Sequence, residues 1–129
     1  MIQGQINADN EAVIPLRIRS ANGQEIDFDA VIDTGFSGYV TLPPATIATL
    51  QLPFQQRQTY VLGDNSQVQF DVYLATVVWD GQARDIAVLA ADGGVLVGMR
   101  MLRGYQVFLD VIDGGDVRIE LRPQLQVSG

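Results

Sequence analysis

From Ala12 to Arg19 the chain alternates, with Ile14, Leu16 and Ile18 on one face and Arg17 and Arg19 on the other. Successive side chains of an extended backbone point to opposite sides, so a period of two marks a strand with one buried face. The alternation resumes after Asn22-Gly23, a dipeptide favoured in two-residue type I′ hairpin turns. There Ile26, Phe28, Ala30 and Ile32 face one way and Asp27, Asp29, Val31 and Asp33 the other, so the polar face ends on a carboxylate. Further strands are expected at 39–42, 58–62, 68–79, 85–91, Val95–Val97, 105–112 and 117–121. Turn-forming clusters at 63–66, 80–81, 92–94 and 113–116 separate them. Helix is expected in two places: Pro44–Leu50, because proline fits the first helical turn, and about one turn at 99–103. Many short strands with so little helix predict an all-β barrel or sandwich.

The chain has 129 residues, 47% of them hydrophobic, which fits one domain with a real core. We place that domain at 1–122, leaving 123–129 as a poorly anchored tail. All eight basic residues are Arg, set against fifteen acidic ones, for a net charge of -7. Nucleic-acid phosphate is therefore not an expected partner. With neither Cys nor His, the chain has no disulfide, thiolate metal site, cysteine nucleophile or imidazole base. Any chemistry must run on carboxylates, hydroxyls or backbone groups. The acids at 27/29 and 110/113/116 match no calcium-loop spacing and read as solvated strand faces and turns, so no metal or other cofactor is expected. The start of the chain shows no basic, apolar leader, and no run approaches the roughly 20 apolar residues that span a bilayer. No membrane association and a cytoplasmic location are the expectations.

The segment Ala30-Val31-Ile32-Asp33-Thr34-Gly35 is the least generic in the chain. Asp-Thr-Gly by itself at a strand end is most often an ordinary turn. Here apolar residues bury the strand before it, which would hold the carboxylate rigidly, while Gly permits a tight turn and Thr offers a hydroxyl. A second apolar stretch ending on glycine, Leu96-Val97-Gly98, precedes the short expected helix, and a hairpin tip at 63–66 lies between the two. These three features, in this order across about residues 10–122, resemble the retropepsin-like aspartic proteases, and among them the small single-domain bacterial members.

That resemblance implies a closed β-barrel of the acid protease fold with one or two short helices and one lobe per chain. It also implies catalytic residues Asp33, Thr34 and Gly35, substrate contacts from Gly35, Phe36 and Ser37, and a flap whose tip includes Leu62, Gly63 and Asp64. The Thr34 hydroxyl would bond the partner subunit's loop. The chemistry needs two carboxylates, one to take a proton from water and one to polarise the peptide carbonyl. One chain supplies one, so the implied enzyme is a homodimer with an Asp33 from each copy, acting on an extended peptide or protein. Two charges about 4 Å apart at an effective dielectric near 20 repel by about 4 kcal/mol, which favours a single shared proton and activity below neutrality.

The sequence departs from the family pattern at Phe36, where Ala or Ser is usual, so a narrowed or reshaped pocket is expected there. It departs again at Met99, where viral members carry a charge, leaving Arg100 or Arg103 to supply that dimer contact. The dimer sheet is expected to use 117–121 first and Ile2–Ile6 second. The competing reading, which Phe36 favours, is a catalytically inactive dimeric module of the same fold that binds a peptide or partner protein. A third is a small β-barrel of unrelated ancestry with a structural role.

Overall fold

The computed structural model describes residues 1–61 and 63–123. Leu62 and residues 124–129, which include most of the expected tail, lie outside the described residues. Ten strands and two short helices follow in chain order: β1 (Ile2–Ile6), β2 (Ala12–Arg19), β3 (Glu25–Ile32), β4 (Val40–Leu42), α1 (Pro44–Leu50), β5 (Phe54–Val61), β6 (Gln67–Trp79), β7 (Gln82–Ala90), β8 (Val95–Val97), α2 (Met99–Leu102), β9 (Tyr105–Leu109) and β10 (Asp116–Leu121). Strands pair in the order β5-β6-β7-β4-β8-β3-β2-β1-β10-β9. A further antiparallel pairing, Arg17 with Val78 through Arg19 with Thr76, joins β2 to β6 and closes β6-β7-β4-β8-β3-β2 into a six-stranded barrel. Closure removes sheet edges from the barrel wall.

The alternation fills that barrel. Ile14, Leu16 and Ile18 of β2 are buried, as are Ala30 of β3, Val40 and Leu42 of β4, Val77 and Trp79 of β6, Val88 of β7 and Val97 of β8. On the outer face of the β2–β3 hairpin Arg17 pairs with Asp27 at 2.7 Å and Arg19 with Glu25 at 3.2 Å. Helix α1 starts on Pro44 and ends where Gln51 turns left-handed with φ +54°. Its Ile47 and Leu50 add to the core.

Two local expectations are corrected. The Asn22-Gly23 turn is not type I′, because only Gly23 has positive φ. The tight bond instead runs from Gly23 N–H to Ser20 O, and the Asn22 side-chain oxygen accepts the Gln24 N–H, which keeps Asn22 on the ordinary side of φ. The type I′ conformation belongs to Asp80-Gly81, with φ +50° and +79° between Trp79 and Gln82. The strand expected to run to Ile112 stops at Leu109, where Ile112 N–H turns back to Asp110 O and Gly115 N–H to Ile112 O, folding Val111 and Ile112 into the turn. A Cβ at Gly115 would lie 1.8 Å from Asp110 O, so that turn needs its glycine.

The expected dimer strands are also corrected. β10 is flanked by β1 and β9, and β1 by β10 and β2, so both already have neighbours on either side. Among the described residues the open edges are β5 and β9. Arg122 N–H continues the β10–β9 ladder to Gly104 O, so the chain is still tied down at 122.

Candidate functional site

The two glycine-ended segments singled out in the sequence lie side by side. β3 and β8 run parallel, with Val31 opposite Leu96 and Ile32 opposite Val97, and the Asp33 N–H donates to Val97 O at 2.9 Å. Asp33 therefore emerges where a barrel strand anchored on both motifs ends, and it is half-buried. Its Oδ1 accepts the Gly35 N–H at 2.9 Å, and its carbonyl accepts the Phe36 N–H at 3.2 Å. These bonds fix the carboxylate's orientation from within its own turn, as backbone donors to an acidic side chain do.

Residues 36–39 then lock onto the second motif. Met99 N–H donates to Phe36 O, Arg100 N–H to Gly38 O, and Gly98 N–H to Tyr39 O, at 2.8, 3.1 and 2.8 Å. Gly98 is needed for this approach, since a Cβ there would lie 2.3 Å from Gly38 O and 2.7 Å from Phe36 O. The Phe36 ring lies against both glycines, 2.5 Å from the Cβ position of Gly98 and 2.6 Å from that of Gly38. The Phe36 ring thus packs inward, filling space that two glycines leave open. Arg100, a candidate for the dimer contact, stands over the Tyr39 ring at 5.4 Å.

Thr34, Gly35 and Ser37 are exposed. Thr34 has no hydrogen-bond partner for its hydroxyl among the described residues. It faces a groove of about 350 Å³ bounded by Ile32, Met99, Leu102, Arg103, Tyr105, Val107 and Leu109. Apart from Met99 and Arg103, the sequence reading missed these groove residues. The available signal was a break in alternation, with apolar residues on both faces of Val107-Phe108-Leu109. A larger cleft of about 810 Å³ lies outside β1, β2 and β3, lined by Gln3, Val13, Pro15, Asp29 and Val31 among others, and does not include Asp33.

Gly63 and Asp64 sit at the tip of the β5–β6 hairpin. No hydrogen bond among the described residues joins that tip to residues 33–38. The Asp64 Oδ1 accepts from the Ser66 hydroxyl and N–H at 2.5 and 2.9 Å, bonds within the tip that hold its carboxyl below the usual carboxylate range. Leu62 lies outside the described residues. No group of three or more acidic side chains converges as a metal site, and no helix is long and apolar enough to cross a membrane, among the described residues.

No family model, curated protein or solved structure matches this chain.

Proposed function

We propose that the chain is one protomer of a homodimeric aspartic endopeptidase of the retropepsin type, cutting extended peptides with a pair of Asp33 carboxylates. The observation that carries this reading is the junction at Asp33. An Asp-Thr-Gly turn grows from a half-buried strand, bonds through Asp33 N–H to the parallel strand that leads into Gly98, and leaves Thr34 and Gly35 open to solvent. A fixed carboxylate beside unhindered backbone suits a site where an extended chain must lie flat against the protein.

In this reaction the ionised member of the pair removes a proton from water as the water oxygen attacks the peptide carbonyl carbon, and the protonated member gives its proton to the carbonyl oxygen. The tetrahedral diol then collapses: one hydroxyl returns its proton to the second carboxylate as the C=O re-forms, the C–N bond breaks, and the proton held by the first carboxylate goes to the leaving amine. The pair ends singly protonated, ready for another cycle. No metal or organic cofactor is called for, since water is the nucleophile and the two carboxyl groups exchange every proton with water and substrate.

The test is cleavage of a diverse peptide library at about pH 5, where a singly protonated pair is expected. Wild type is compared with Asp33→Asn and with wild type plus an aspartic-protease inhibitor. Activity lost in both arms supports the proposal. Cutting that survives Asp33→Asn removes it, and equal peptide binding by both proteins without cleavage selects the non-catalytic binding module.

A further inference from the structure

We propose that a second copy of this chain docks along the free edge of β9, antiparallel β9 against β9, and that this seam unites the two Asp33 residues; the inference rests on the protease reading above. The two open edges of the sheet are built differently. β5 reads Phe-Gln-Gln-Arg-Gln-Thr-Tyr-Val, carries Arg57 and has a register irregularity between Phe54 and Gln56. Charge and bulges are how proteins keep an edge from pairing. β9 reads Tyr-Gln-Val-Phe-Leu, has no charge or proline, and pairs with β10 in unbroken register from Tyr105 to Leu109. No described strand pairs with its outer row of backbone donors and acceptors, which is a template for another strand.

The groove beside that edge says what kind of strand. Ile32, Thr34, Met99, Leu102, Val107 and Leu109 line it, mostly apolar, with Met99 48% and Leu109 46% exposed. Apolar side chains held this open at the rim of a groove are expected to be covered. A five-residue strand pair by itself falls short of the roughly 1,200 Å² that stable dimers bury. The groove walls must therefore join the contact, and a two-fold axis repeats every such contact. Antiparallel pairing of identical strands is the two-fold arrangement, and it closes after two copies. Thr34 ties the seam to the chemistry: it lines the groove and adjoins Asp33, so a copy seated there lies next to the loop whose second carboxylate is missing. Pairing would merge two β1-β10-β9 sheets into one of six strands across the dimer.

The experiment measures the assembly of the full chain by sedimentation equilibrium, with hydrogen exchange resolved along the backbone. Wild type is expected to dimerise, with slowed exchange at 106–109 in the dimer. Leu109→Lys combined with Met99→Lys places like charges face to face, expected to raise the dimer dissociation constant about 100-fold. Val61→Lys, at an exposed position on β5, should leave it unchanged. A wild type that stays monomeric at about 1 mM, far above ordinary dimer dissociation constants, overturns the seam. So does a double variant that dimerises like wild type, or dimer protection that appears on β5 instead of β9. Dimerisation through β9 without cleavage of any peptide upholds the seam and removes the protease reading, whereas a double variant that dimerises and cleaves like wild type removes the seam and leaves the protease reading standing.

Discussion

Phe36 occupies the position after Asp33-Thr34-Gly35, and its ring takes the room that side chains at 38 and 98 would need. The three residues act as one unit of volume. Phe36→Ala should lower the free energy of unfolding in urea by about 2 kcal/mol, less than for a fully buried Phe because the residue is only partly buried. Gly38→Ala places its Cβ 2.6 Å from the Phe36 ring tip and should also destabilise. Combining the two should cost less than their sum, a double-mutant coupling of about 1 kcal/mol, since the new methyl enters the space the ring vacates. Additive effects would place the ring elsewhere. Asp33→Asn keeps an oxygen to accept the Gly35 N–H, so it should unfold like wild type while cleavage falls by about a thousandfold or more.

Among the elements, the β3–β8 pair depends on Gly98 for a reason unrelated to φ: its backbone is extended, at φ -100° and ψ 178°, yet a Cβ would collide with two carbonyl oxygens. Gly98→Ala should therefore weaken the fold by about 1–3 kcal/mol in chemical denaturation and cut activity further than that loss explains, because Asp33 hangs from the same strand pair. On the β2–β3 hairpin, the hydrogen bond from Arg17 holds the Asp27 carboxyl below the usual carboxylate range. A carboxyl lowered in the folded state adds stability that is present above the ordinary carboxylate range and is lost as pH falls through the lowered value. Both partners are solvent-exposed, so the effect on stability is small. Its signature is spectroscopic: in Arg17→Ala, the carbon-detected NMR titration of Asp27 should move up in pH.

For the whole molecule, a catalytic pair drawn from two chains makes two demands. Specific activity should rise with protein concentration across the dimer dissociation constant and level off above it. Activity should also be greatest below neutrality and decline as pH climbs, because the reaction needs one proton on the pair and a second ionisation removes it. Full activity at about pH 9, well above the range of a proton-sharing pair, would contradict a carboxylate dyad. The net charge of -7 per chain adds a like-charge term to assembly, so moderate salt should strengthen the dimer.

Much of this architecture was legible along the chain because strand and turn signals are local. The bounds of β2, β8 and α1, the all-β class and the two glycine-ended motifs follow from alternation, proline and glycine over a few residues each. The early start of β5 did not, since its residues are nearly all exposed and its register rests on β6. Tertiary structure alone decided that Asp33 hangs from Val97 and that Phe36 turns inward onto two glycines. It also decided that β10, a plausible edge by composition, is enclosed while β9 is left open. Pattern reports which face of a strand seeks the core; which strand lies at its side is settled by contacts between residues far apart in the chain, and no local period carries that information.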